Sequence, residues 1–430
     1  MSASIVQSLA TRAASTIEQF MVFPPTNTIA SKYASEHLRA ASPPVVPAVL
    51  MRAGTSRGIF LHSHHLPRSK AAWPGIISSI MGSHNGDRRQ LDGVGGATST
   101  TSKAAIISPP SRPDADVDYT FAQVGVGENK VDMSGSCGNI CSGVGPFALE
   151  ERLVRPTGRN NAVVRVHDTN TGAIIEQILA VDQYGRYKAE GDHRISGYSG
   201  SGSPLKMSWL KPAGTFGPRK FCPTGNPTDI IQVQVPDIPE VISAQVSLID
   251  AANPFVFVDA TSLPEEILEM GHADPKVLSM MEAIRCQGAV LMGIASTTEE
   301  AHKLRPIPKV ALLYPPGEHQ QQADIRIVPY SLGKPHPSCQ LTGTIALSAA
   351  LSYPGTVASK LAQQARGLPQ LDRVELGAVH KTIAHPSGFN EAEVYNALGR
   401  DDLVELEKVS ILTTAQRLFK GEAYIPRLKL

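Results

Sequence analysis

Three segments recur in the same order within this 430-residue chain, and the recurrence limits its fold more than any other feature. Around Lys103 the chain reads TSKAAIISPP and around Lys309 it reads PIPKVALLYPP; each lysine precedes a short apolar run and then Pro-Pro. The two lysines lie 206 positions apart, and Cys137 and Cys339, in SCGNICSGVGPFALE and SCQLTGTIALSAAL, lie 202 apart. RAGTSRGIFL at 52–61 has a weaker counterpart, DAANPFVFVD at 250–259, at an offset of 198. Segments repeated in one order at nearly one offset imply two copies of one fold, each of about 190 residues.

Each copy carries short β-branched and aromatic runs (IIEQILAVD, IIQVQV, AQVSLID, FVFVDA, KVALLY, DIRIVPY) bounded by Gly, Pro and Asp, which is strand chemistry. One apolar segment of small residues follows in each, NICSGVGPFALEERL or LTGTIALSAAL, long enough for a buried helix. Many strands around one central helix per half is an α+β arrangement, without the strand-helix alternation of a doubly wound sheet. The division expected is an N-terminal extension at 1–45, halves at 46–240 and 241–415, and a C-terminal tail at 416–430. The active site is expected in the cleft between the halves, where two helix N-termini face each other.

Lys plus Arg (40) nearly balances Asp plus Glu (39), so no overall charge argues for nucleic acid or an anionic membrane as partner. No apolar run approaches the roughly 18 residues that span a bilayer, and the start lacks a secretory pattern. A cytoplasmic protein is expected, with a mitochondrial transit role for residues 1–45 as the alternative. Five cysteines at irregular spacings are read as free thiols rather than a disulfide framework.

CGNICSG lacks the four-ligand pattern of a zinc site, and no metal is expected there. Asn139 is a good N-cap type just before the apolar run, which puts Cys137 at the mouth of a helix, where free N–H groups stabilise a thiolate or a bound carboxylate. Cys137 is thus a catalytic candidate, a buried structural thiol being the alternative; Cys141, one turn on, is read as core. LDGVGGATSTTSK is not a phosphate loop, because Lys103 leads into a strand-like run. Lys103 is either a solvated lysine or a desolvated general base. Arg52 and Arg57, around a Gly-Thr-Ser cluster, form a candidate anion clamp or flank a surface turn. His62, His64 and His65 are read as a solvated loop.

Taken together, RAGTSRGIF, GGATSTTSKAAIIS, SCGNICSGVGPFALE, PTGNPTD, DAANPFVFVDA, PKVALL, LGKPHPSCQLTGTIALSAA and IAHPSG resemble the PrpF family from about residue 48 to 390. These are isomerases related in fold to diaminopimelate epimerase that act on methylaconitate, methylitaconate, aconitate or oxalomesaconate. The resemblance implies two pseudo-symmetric halves, each a β-rich barrel around a central helix. It carries the family's catalytic lysine and cysteine onto Lys103 and Cys137. It implies carboxylate-binding roles for Arg52, Thr55, Ser56, Arg57, Ser102, Gly138, Asn139, Lys309 and His336. The family's loop usually reads RGGTSKG, so Ala53 and Arg57 are departures, and Cys141 and Cys339 stand where no cysteine is expected.

The function expected is a cofactor-independent isomerisation of an unsaturated di- or tricarboxylate by allylic proton transfer, with cis-aconitate to trans-aconitate first and 2-methylaconitate next. The partner expected is that small carboxylate, with no nucleic acid and no membrane; a homodimer is compatible with the sequence. Two rivals stand beside this reading. A two-cysteine amino-acid epimerase would use Cys339, and a non-catalytic accessory protein would keep only the fold.

Overall fold

Unbroken apolar runs such as KAAIIS and KVALLY require a cover on both faces of a strand, and the fold supplies two. The computed structural model describes residues 45–425 except 217, 237 and 400–403. The extension expected at 1–45 therefore lies, up to residue 44, outside the described residues, as do 426–430 of the expected tail. The first part of the chain runs through β1 (Val45–Ala53), β2 (Ser56–His62), α1 (Trp73–Met81), β3 (Lys103–Ser108), β4 (Val117–Val124), α2 (Gly138–Cys141), α3 (Val144–Glu150), β5 (Asn161–Asp168), β6 (Ile174–Ala180), β7 (Leu205–Leu210) and β8 (Asp229–Val235). The second runs through β9 (Ile238–Ala251), β10 (Asn253–Asp259), α4 (Pro275–Leu291), β11 (Lys309–Tyr314), β12 (Ile325–Ser331), α5 (Leu341–Leu351), α6 (Val357–Ala365), β13 (Gly377–His385), β14 (Gly388–Leu398), β15 (Val404–Thr413) and β16 (Ala415–Tyr424). Shorter pieces connect them.

The strand pairings repeat. β1 and β2 form a hairpin, β2 runs parallel to β3, β3 antiparallel to β4, β4 parallel to β5, and β5, β6 and β7 follow antiparallel. The series β9 to β15 reproduces every one of these steps. β7 and β15 pair antiparallel, which joins the two series into one eighteen-stranded sheet. β8 pairs with β9, and β16 pairs with β1, so the last strand of each series completes the edge of the other and satisfies its backbone groups. Two expected boundaries need correction on this account. Residues 416–424 are a paired strand rather than a tail, and the cut at 240/241 falls inside β9.

Alternation along the strands explains the double cover. In β3, Ala104 and Ile106 pack with Trp73, Ile77 and Ile80 of α1, while Ala105 and Ile107 face the other way, toward Ile140 and Val144. In β11, Val310 and Leu312 meet Val277, Met281 and Ile284 of α4, while Ala311 and Leu313 meet Ala346 and Leu347 of α5. Lys103 and Lys309, two residues before Ala105 and Ala311, share the inner faces by the same alternation. Every residue of α5 is buried, because Leu341, Ile345 and Ala349 join the core around α2 and α3 while Ala346, Leu347 and Ala350 join the other. Truncating Ile345 to Ala should cost about 2–5 kcal/mol.

The first central helix is not one segment. It stops at Cys141 and restarts at Val144, because Pro146 lacks the N–H that would bond to Ser142 and its ring would strike that carbonyl. Among the described residues no helix is long and apolar enough to cross a membrane.

Candidate active site

Cys137 is itself the N-cap of α2, with extended backbone (φ −132°, ψ 103°), and its carbonyl accepts the first helical bond from Cys141 N at 2.9 Å. The expected cap, Asn139, lies one residue inside the helix and is otherwise engaged: its Oδ1 accepts from Thr55 N at 3.1 Å. The peptide leading into Cys137 is clamped from the second series. Asn253, the first residue of β10, accepts from Ser136 N at 3.2 Å and donates to Ser136 O at 2.9 Å and to Thr342 Oγ1 at 3.2 Å. Ser136 Oγ donates to Asp168, and Tyr119 OH donates to Cys137 O at 3.2 Å. Burial pushes the Asp168 carboxyl up to about 6 against these hydrogen bonds. Cys137 is thereby fixed, and it alone of the five cysteines is not buried.

The pocket at Cys137 is lined by Ser56, Lys103, Gln123, Lys309, His336 and Gln340, together with Gly138, Asn139 and Thr342. Lys103 Nζ donates to Gln123 Oε1 at 2.5 Å, stands 5.1 Å from the centre of the Phe121 ring, and lines the pocket together with Cys137. Burial lowers the Lys103 pKa, and Cys137 partly offsets that. Lys309, although its side chain keeps some exposure, is lowered to about 8, first by desolvation and then by the charge of Lys103; Cys137 and Asp132 act the other way. His336 is lowered to about 4, chiefly by burial and further by the two lysines, so it is neutral at pH 7. Its Nδ1 lies 2.5 Å from Ser338 O and 3.2 Å from Ser338 N. The pocket thus sets a thiol, two lysines whose pKa values are lowered by burial, and the N–H groups at the start of α5 around one small volume.

Several residues expected at the site are engaged elsewhere. Arg52 donates to Gly54 O and Thr414 O, both at 3.0 Å, and lies 4.2 Å over the Tyr198 ring, bracing its loop against the chain just before β16. Arg57 sits against Gly96, where an added Cβ would come within 2.7 Å of its Nη2. Ser102 Oγ donates to Gln90 Oε1 at 2.7 Å in the core. Neither Arg52 nor Arg57 is among the residues that line this pocket. Thr55 lines an adjoining cavity with Ser196, Cys339, Phe389 and Asn390, which shares Asn139 and Leu341 with the first. Gln123, Asn253, Tyr119 and Gln340 went unread in the sequence. Asn253 and Gln340 carried a signal there, within the repeated segments DAANPFVFVD and SCQLTGTIALSAAL.

Cys141 is fully buried, with Gln177 Nε2 donating to its carbonyl at 2.7 Å, in keeping with a packing role. Cys339 is also buried, its thiol pushed up to about 12 by desolvation. The position matching Cys137 by structure is Gln340, the N-cap of α5. Outside the pocket, Glu282, Cys286 and His302 bring donor atoms within 4.8 Å of one another, a set that could hold a metal ion. Arg285 already holds both oxygens of Glu282 at 2.8 Å, which supplies that carboxylate with a counter-charge.

The family described as PrpF protein matches residues 45–426. The putative isomerase YraM of Bacillus subtilis (strain 168) is 36% identical over 389 residues, which cover 87% of this chain and 96% of that protein. The 3-methylitaconate isomerase of Eubacterium barkeri is 35% identical over 403 residues, 90% of this chain and 98% of that one. The 2-methyl-aconitate isomerase of Cupriavidus necator is 33% identical over 366 residues, 80% and 88%. Among solved structures, that of methylitaconate-delta-isomerase superposes with a TM-score of 0.65 at 31% identity, over 90% of this chain and 96% of that one.

Proposed function

The chain belongs to the PrpF family and is an isomerase, and we propose that it moves a proton across the allylic system of an unsaturated tri- or dicarboxylate, with Cys137 and Lys103 as the acid/base pair. The observation that carries this reading is that Lys103, Cys137 and Lys309 line one pocket, with Cys137 at the N-cap of α2. One member of the pair takes a proton from the CH2 beside the double bond. The electron pair delocalises through the double bond onto a carboxylate, and the other member returns a proton at the far carbon. The double bond has then moved by one position and the substrate is otherwise unchanged. Either assignment of the two groups balances.

The intermediate carries extra negative charge, and Lys309 together with the N–H groups at the start of α5 would hold it. A general acid/base group contributes roughly 10²–10⁴-fold, so each of Cys137 and Lys103 should matter on that scale. For substrate we favour cis-aconitate giving trans-aconitate, with 2-methylaconitate second. The relatives named for methylated acids support the class of substrate, and a methyl group is worth only about 1–3 kcal/mol of discrimination.

The two-cysteine epimerase reading has less support, because Gln340 takes the place matching Cys137 and the Cys339 thiol is buried. The test is chromatography of cis-aconitate, 2-methylaconitate and 3-methylitaconate after incubation with the protein. Conversion of cis-aconitate faster than of the other two supports the assignment. Conversion of the methylated acids alone sinks the substrate but keeps the isomerase.

A further inference from the structure

Lys103 and Lys309 hold equivalent places in the repeat, yet their neighbours across the sheet differ. Lys103 pairs in register with Gln123 on β4. On β11 and β12, continuing the register two residues beyond the Ala311–Pro329 pair sets Ser331 opposite Lys309. A serine side chain is too short to take the place of the Gln123 amide. One lysine therefore has a built-in acceptor and the other lacks it.

The orientation of that acceptor is forced. Gln123 is buried, and its Nε2 lies 3.2 Å from Ser99 O, 3.1 Å from Ser102 O and 3.3 Å from Val124 O. Three carbonyl oxygens accept only, so the NH2 end must face them, and Oε1 is left pointing at Lys103 Nζ. Turning the amide over would set oxygen against three oxygens and NH2 against an amine. The Gln123 amide is also uncharged. A carboxylate in its place would hold Lys103 as an ammonium ion, whereas a neutral acceptor orients the amine and leaves it free to gain or lose a proton.

We infer that Gln123 is a positioning residue for the reaction: its amide, locked by the carbonyls of Ser99, Ser102 and Val124, aims the Lys103 amine at the pocket and makes Lys103, rather than its repeat partner Lys309, the proton-transfer lysine. This inference rests on the acid/base reading of Lys103 above. The titratable groups facing Lys103 are Cys137 from the N-cap of α2, Lys309 from β11 and His336 from the loop before α5. None of them is a carboxylate, and among the described residues the hydrogen-bond acceptor of Lys103 Nζ is Gln123 Oε1.

The experiment compares Gln123→Leu, Gln123→Met and Lys103→Met with wild type, measuring kcat and KM from pH 5.5 to 10 on an acid that the wild type converts. Both Gln123 variants should lose at least about ten-fold in kcat with KM within about three-fold. The pH limb belonging to Lys103 should move to lower pH, because an ammonium without its acceptor gives up its proton more readily. In wild type, the side-chain 15N resonance of Gln123 should titrate with the midpoint of that limb. Wild-type kcat in either folded variant, a loss of kcat with an unmoved limb, or a Gln123 resonance indifferent to pH across the limb overturns the inference. The resonance decides the matter even where a variant does not fold. Wild-type turnover by Lys103→Met would instead remove the acid/base reading itself.

Discussion

Lys103 and Lys309 open equivalent strands of the two series and line the same buried pocket, so two cations from opposite ends of the repeat face one small volume. Such a pair cannot hold both charges at full strength, and Lys309 is lowered to about 8. Below that pH it is an ammonium ion able to hold a carboxylate; above it the charge is lost. KM for the substrate should therefore rise as pH passes about 8 in wild type. In Lys309→Met it should be high and flat across the same window.

The same substitution should stabilise the protein near neutrality. The folded-state pKa of Lys309, about 8, lies below its ordinary 10.5, so the unfolded chain binds more protons between these values and stability rises with pH across them. At pH 7 the partly buried ammonium costs at most about 3 kcal/mol, which Met relieves. Thermal melts at pH 7 and pH 10 check this. The advantage of the variant should shrink at the higher pH, and an advantage that grows with pH would contradict the assignment.

Cys339→Ser should keep kcat/KM within about three-fold of wild type. Its thiol is 2% exposed and accepts from Thr344 Oγ1 at 3.5 Å, a contact that a serine hydroxyl can reproduce. A loss of a hundred-fold or more would return the two-cysteine epimerase to consideration.

Gly138→Ala should damage stability and turnover together. A Cβ at Gly138 would stand 2.9 Å from Leu341 Cβ and 3.1 Å from the Trp209 ring, where α2 packs against the start of α5 beside the pocket. Forcing the two helix starts apart should cost about 1–3 kcal/mol in a denaturant titration. Wild-type stability would mean that this contact is looser than described.

The sequence singled out the two proposed acid/base residues as candidates, and the resemblance to the PrpF family supplied their roles. The repeat aligned Lys103 with Lys309, and the break from Gly and Ser into an apolar run marked Cys137 as a helix entry. What stayed hidden depends on which strands lie side by side. Gln123 acquires its role only through the β3–β4 register, and Asn253 only because β10 meets the loop before α2, 117 residues away. Asn139 is a good cap by residue type, but the Thr55 N–H competes for its oxygen. Arg52 reads as an anion clamp until Thr414, 362 residues on, accepts its guanidinium. Residue type, spacing and the family resemblance located the candidate residues, and tertiary partners decided which neighbours surround them.

The most direct measurement is proton NMR of the purified protein with cis-aconitate, 2-methylaconitate and 3-methylitaconate in heavy water. Allylic proton transfer through Cys137 and Lys103 predicts isomerisation of at least one acid with deuterium appearing at its allylic carbon. It also predicts that Cys137→Ala and Lys103→Met, folded as judged by melting, slow that exchange by about 10²–10⁴-fold. No isomerisation and no exchange with any of the three acids, or wild-type exchange in either variant, would contradict the account.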